Sequence, residues 1–206
     1  AELAAHGITT AGDGYLHWRK GWFEVWEKAQ REGELTARVS LRPYYYPHIE
    51  RQKQLNFFKK IASNDHGQRL IVNQAKIYMD GVLHFGSAKV NQPYRWSWQE
   101  YDPSGFYYLQ PKAMKSLLME LNKIGYGAHI HAIGDEGISQ AINAVDYVRK
   151  KGSYLNYGLT HLEMLKPSDI PRFKRFNIAA DYQAGATFFA SHDWAVPYIG
   201  QARAKQ

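Results

Sequence analysis

Apolar, strand-like runs alternate with amphipathic, helix-like runs along almost the whole chain, and this alternation restricts the fold more than any other feature. The strand-like runs are Ile8–Ala11, Ala37–Tyr46, Leu70–Met79, Tyr126–Ile133, Tyr157–Leu162 and Ile178–Tyr182. The first ends at Gly12-Asp13-Gly14, the third at Asp80-Gly81 and the last at Gln183-Ala184-Gly185. Between them, helical spacing is read in Trp18, Trp22, Val25 and Trp26, over Ile49–Ser63, from Pro111 to Gly125, over Ile138–Lys151 and over Pro167–Phe176. Strands separated by helices of this length are parallel and joined by right-handed crossovers, which leaves a doubly wound sheet or a closed barrel.

No glycine-rich phosphate loop follows the first strand. Residues with chemistry to offer instead recur where several different strands end: Asp13, Lys76 and Asp80, His131, His161 and Gln183. In a (β/α)8 barrel of the TIM type those ends converge on the face that does the chemistry. The expected architecture is therefore α/β, a (β/α)8 barrel that is incomplete. About six strand-helix units are present, and the chain is shorter than the roughly 250 residues typical of that fold. The 206 residues read as one partial barrel domain.

Composition narrows the chemistry. With no cysteine, thiolate metal sites, disulfides and cysteine nucleophiles are excluded. A net charge of +7 invites a nucleic-acid reading. Yet the basic residues are interleaved with acids on helix faces, as in Glu27-Lys28 and Arg31-Glu32, and no basic arm or stacking motif is present, so neither a nucleic acid nor a membrane is expected as partner. The opening Ala1-Glu2-Leu3-Ala4-Ala5-His6-Gly7 reads as the late part of a helix, and the chain as an internal segment of something longer.

The best candidate ligands are histidines. In Gly127-Ala128-His129-Ile130-His131-Ala132-Ile133-Gly134-Asp135, His129 and His131 share one strand face, with His131 at the carboxyl end. Gly134-Asp135 then supplies a turn and a helix-capping carboxylate. His161 ends the next strand, one crossover unit later. His131 and His161 are expected to approach one metal ion, whereas His129, one layer deeper, is read as structural. Lys76 lies inside an apolar run, where a lysine needs a partner or a task. It is either an ion-paired lysine, with Asp80 or Asp13 as partner, or one carboxylated by carbon dioxide to bind metal.

These strings together resemble the amidohydrolase superfamily, and within it amidohydrolase family 3, the group similar to N-substituted formamide deformylases. The resemblance rests on Lys76-Ile77-Tyr78-Met79-Asp80-Gly81, His131-Ala132-Ile133-Gly134-Asp135, Thr160-His161, Pro167-Ser168-Asp169-Ile170-Pro171-Arg172-Phe173 and Gln183, in order and spacing. The opening His6-Gly7-Ile8-Thr9-Thr10 is similar to that group's second barrel strand. It implies a hydrolase acting on amide-like carbon-nitrogen bonds of a small-molecule substrate through a water activated by a divalent metal, zinc by preference. It further implies His131, His161 and a carboxylatable Lys76 as metal ligands, with Tyr78, Asp80 and Gln183 near substrate.

The group's first-strand histidine-x-histidine pair has no counterpart here, and its last-strand aspartate, the general base, is expected beyond Gln206. Gly158-Leu159-Thr160 stands where arginine-isoleucine-glutamate is usual. The expectation is therefore a central fragment, inactive alone and lacking the first and last strands. The alternative is a non-catalytic scaffold or assembly module. Unpaired barrel edges are expected to promote self-association. Finally, Phe85, Tyr94, Trp96, Trp98, Tyr101, Phe106, Tyr107 and Tyr108 crowd the connection Val82–Gln110, either as a substrate lid or as packing against parts outside this chain.

Overall fold

The structure, a computed structural model, describes residues 2–65, 67–96, 102–182 and 192–205. Among these lie helices α1 (Glu2–Ala5), α2 (Trp22–Arg31), α3 (Arg51–Ile61), α4 (Pro111–Lys123), α5 (Asp135–Arg149), α6 (Ile170–Phe176), α7 (Val196–Ile199) and α8 (Gln201–Ala204). The strands are β1 (Thr10–Leu16), β2 (Arg38–Pro43), β3 (Leu70–Ile71), β4 (Gln74–Tyr78), β5 (Gly127–Ala132), β6 (Tyr157–His161) and β7 (Ile178–Asp181). They form sheets of order β1-β2-β3 and β4-β5-β6-β7. β1 with β2, β2 with β3, and β6 with β7 pair in parallel. No helix among the described residues is long and apolar enough to cross a membrane. The chain divides into two compact units, Ala1–Ile77 with Glu120–His129, and Tyr78–Met119 with Ile130–Gln206.

In the first unit, β2 alternates as a half-buried strand should, with Val39, Leu41 and Pro43 inward. Gln54, Leu55, Phe58 and Ile61 are the buried stripe of α3. The buried amide of Gln54 is satisfied: it accepts from Tyr46 N at 2.8 Å and donates to the Tyr46 and Ile49 carbonyls, both at 3.0 Å. Tyr126 stacks on Phe58 with ring centroids 5.7 Å apart, and its hydroxyl donates to Phe58 O.

Two strand boundaries differ from expectation. Gly12-Asp13-Gly14 does not end β1 but lies within it, because Gly12 and Asp13 pair with Ser40 and Leu41 of β2. The Asp13 carboxylate accepts from Tyr15 N at 3.1 Å and Trp26 Nε1 at 3.3 Å, so a turn-forming sequence is carried in a strand. The run Leu70–Met79 is two strands. Leu70 and Ile71 follow β2, and then Val72 exchanges backbone hydrogen bonds with Ser63 at 2.8 and 3.0 Å before β4 begins.

In the second unit, α5 buries Ile138, Ala141, Ile142, Val145 and Val148 along one stripe. Burying each branched aliphatic side chain contributes about 1.5–3 kcal/mol, which outweighs the roughly 1 kcal/mol helix penalty of Gly137. The helix starts at Asp135, earlier than the expected Ile138. Asp135 is not its N-cap, a place taken by Gly134. The Asp135 carboxylate accepts from the first-turn Glu136 N at 3.0 Å and also holds Asn91, accepting from its backbone N and its Nδ2, both at 2.9 Å.

The described part of the long connection is packed within this unit. Tyr108 N donates to Met79 O at 2.9 Å, and Tyr94 Oη donates to Ala88 O at 2.8 Å. Arg203 donates to the carbonyls of Gln92 at 2.8 Å and Pro93 at 2.7 Å. Val90 and Tyr94 join Ile133, Met164, Ala195 and Ile199 in one apolar cluster. Phe85, Trp96 and Tyr108 stay exposed, while Trp98 and Tyr101 lie outside the described residues.

Candidate metal and hydrolytic site

β5 and β6 are neighbours in the sheet, and their carboxyl ends bring His131 and His161 together. The rings meet edge to face with centroids 4.5 Å apart. His131 is buried and His161 half-buried. Nε2 of His131 lies 2.8 Å from the Gly81 carbonyl oxygen, which can only accept. Nε2 therefore carries the proton, and in the neutral imidazole the lone pair sits on Nδ1. Tyr78 packs against the same ring at a centroid distance of 4.4 Å.

The backbone at the end of β6 is forced. His161 and Leu162 have φ of 80° and 56°, two successive non-glycine residues in the left-handed region. Each costs about 1–3 kcal/mol and persists only where the surroundings over-determine it. Here Leu162 N and Met164 N donate to Ala132 O and Ile133 O, both at 3.1 Å, tying the segment after His161 to the end of β5.

Asp80 is fully buried. Its carboxylate accepts from Ile133 N at 3.0 Å, Gly134 N at 2.8 Å and Lys89 N at 2.9 Å. Oδ1 is also 4.0 Å from His131 Nε2. Desolvation pushes its carboxyl up to about 7 against the pull of those three donors, and nearby Glu163 pushes the same way. A Cβ on Gly137 would overlap Asp80 Oδ2, and one on Gly134 would overlap Lys89 O, so the two glycines permit this close approach.

Glu163 is the residue sequence reasoning missed. It follows His161 by two positions, between buried Leu162 and Met164. Burial pushes its carboxyl up to about 7, and its Oε2 is buried with no hydrogen-bond partner among the described residues. The only signal for it in the sequence was a carboxylate flanked by apolar residues just past a strand-end histidine.

The other expected residues are distributed as follows. Lys76 is buried within β4, in the first unit, as is His129 on β5. Gln183 lies outside the described residues. Among the described residues, no three histidine, aspartate or glutamate side chains are grouped to hold a metal ion. His131 and His161 thus fit a metal in donor type, but in number they fall short of the three protein ligands of a catalytic zinc site.

Comparison with known proteins places the chain in a family. The chain belongs to the amidohydrolase family, which it matches over residues 1–206. It is 24% identical over 161 residues to the exoenzymes regulatory protein AepA of Pectobacterium carotovorum subsp. carotovorum, covering 76% of this chain and 32% of AepA. It is 27% identical over 187 residues to the proposed amidohydrolase YtcJ of Bacillus subtilis (strain 168), covering 88% of this chain and 32% of YtcJ. The chain thus spans about a third of the length of these curated relatives.

Two uncharacterized metal-dependent hydrolases share the fold, each with a TM-score of 0.72. The one from Pyrococcus furiosus is 20% identical, the match covering 96% of this chain and 37% of that one. The one from Pyrococcus horikoshii OT3 is 21% identical, with 98% and 38% covered. The α/β, parallel-stranded, TIM-barrel type of fold expected from the alternating runs is the fold observed.

Proposed function

We propose that this chain carries part of the metal site of an amidohydrolase that cleaves amide-like carbon-nitrogen bonds of a small-molecule substrate. The observation that carries the reading is the pair His131 and His161, two imidazoles from neighbouring strands with centroids 4.5 Å apart. Imidazole suits zinc among divalent ions, and a bound zinc would polarise the scissile carbonyl and lower the pKa of a water to ~7. His131 would offer Nδ1, because its Nε2 proton is committed to Gly81 O.

Asp80 holds Ile133, Gly134 and Lys89 by their backbone N–H groups, and so fixes the end of β5 and the chain at Lys89. That gives it a positioning task beside His131. Tyr78, against the His131 ring, and Gln183 are proposed to face substrate. Lys76 is proposed as a carboxylated ligand, supported by its burial in β4 and by the family pattern. The formamide-deformylase-like strings make small N-substituted formamides the first substrates to try.

Because the grouped donors among the described residues number fewer than three, we propose that this polypeptide alone turns over slowly or not at all. The second reading, a non-catalytic module that keeps the fold, is favoured by the same shortfall and by a relative named as a regulatory protein. We also propose that unpaired strand edges drive self-association. Metal analysis of purified protein, together with formamide hydrolysis assays, tests the leading reading. One zinc retained per chain and lost in His131→Ala supports it; no zinc uptake by either the chain or a longer relative-length protein overturns it.

A further inference from the structure

In the first unit, an aromatic wall stands at the carboxyl ends of β1 and β2. The two strands pair in parallel, Leu16 opposite Pro43, and Tyr44 N donates to Leu16 O at 3.1 Å. Tyr15 and His17 on one chain segment therefore lie beside Tyr44 and Tyr46 on the other. Tyr15 is 4.2 Å from His17 and 4.7 Å from Tyr44, centroid to centroid, and Tyr44 is 4.7 Å from Tyr46. His17 Nδ1 and Tyr46 Oη are hydrogen-bonded at 3.0 Å, which closes the group into one surface. Trp22 extends it, edge-on to His17 at 5.1 Å.

This wall is only partly covered. Tyr44 is buried, Tyr15, His17 and Tyr46 are half-buried, and Trp22 is 44% exposed. Two exposed cations stand over it, Arg19 5.7 Å from the Tyr46 ring centroid and Lys20 5.8 Å from that of Trp22. The acid within this stretch, Asp13, has both carboxylate oxygens engaged by Tyr15 N and Trp26 Nε1. The patch therefore combines partly exposed π surface with two cations, Arg19 and Lys20, beside the single carboxylate of Asp13.

We propose that this wall is a binding site for a small aromatic acid, the ring of the ligand packing on Tyr15, Tyr46 and Trp22 and its carboxylate reaching Arg19 and Lys20. Aromatic rings recognise one another by edge-to-face and offset contacts that an aliphatic ring of equal size does not make. A carboxylate between two cations adds charge-assisted hydrogen bonds that also fix its orientation. The site is built by the first unit alone and requires no metal.

The test is calorimetric titration of the chelator-treated full chain with phenylacetate, cyclohexylacetate and benzyl alcohol, with sedimentation velocity at the same concentrations. Saturable phenylacetate binding, about tenfold weaker for each of the other two ligands, is expected. The double surface variant Arg19→Gln/Lys20→Gln should keep the unfolding midpoint and lose the preference for phenylacetate over benzyl alcohol. Equal binding of phenylacetate and cyclohexylacetate, an unchanged preference in the double variant, or no saturable binding overturns the proposal. So does a dimer that buries Trp22 and excludes phenylacetate, which would make a second copy of the chain the occupant. Because the protein is metal-free throughout, failure here leaves the metal reading standing, and loss of the metal reading leaves this site.

Discussion

His131 Nε2 donates to the Gly81 carbonyl oxygen at 2.8 Å, and this one bond determines which imidazole nitrogen can bind an ion. Nitrogen-15 NMR of the metal-free protein is expected to show His131 as the Nε2–H tautomer. Zinc should then perturb Nδ1 and leave Nε2 protonated. His161→Ala is expected to weaken zinc binding at least about tenfold, as changes around metal ligands commonly do. An Nδ1–H tautomer for His131 would remove the geometric basis of the metal reading.

Asp80, fully buried, satisfies three backbone N–H groups. Asp80→Ala strands them, and each buried unsatisfied donor costs about 1–3 kcal/mol. The expected loss is about 3 kcal/mol or more, read as a lower urea midpoint. Asp80→Asn, which retains one acceptor oxygen, should recover part of it.

Gly137→Ala places a methyl group on Asp80 Oδ2. Elsewhere in a helix this substitution stabilises by up to about 1 kcal/mol. Here a loss of about 1–3 kcal/mol is expected from overpacking. Thermal unfolding of the single variant decides the sign.

Burial sets the pH response of Glu163, whose carboxyl is raised to about 7 from its ordinary 4.5. Below the ordinary value both folded and unfolded chains hold the proton. Between there and about 7 the folded chain keeps a proton that the unfolded chain has released, so stability falls as pH rises through that window and levels off above it. Glu163→Gln should flatten the fall in melting temperature between pH 5 and 8, leaving the part due to Asp80, which is raised in the same direction.

If Lys76 is carboxylated, zinc-loaded protein in carbon-13 bicarbonate will show a carbamate resonance that is absent in Lys76→Arg. No resonance in either protein would leave Lys76 as an ion-paired or hydrogen-bonded buried lysine.

Much of the fold was legible because its signals are local. Pro111 opens α4 and Gly125, with φ of 78°, follows its end, where proline and a left-handed glycine belong. The positions of His131 and His161 near strand ends followed from where apolar runs stop. The split of Leu70–Met79 was not legible, because an apolar run does not say which partner each half will have. Nor was the strand through Gly12-Asp13-Gly14, where pairing with β2 overrides turn propensity.

The sequence by itself determined the alternation of strands and helices, the family and the two strand-end histidines, since periodicity and motif spacing are written over a few neighbouring residues. Only the tertiary structure decided that Asp80 serves three backbone groups, that Asp135 holds Asn91 as well as a first-turn amide of its helix, and that the half-buried Glu163 has its carboxyl largely desolvated. Those outcomes depend on desolvation and on hydrogen-bond donors far away in the chain, such as Ile133 and Gly134 for Asp80, and no local pattern encodes them.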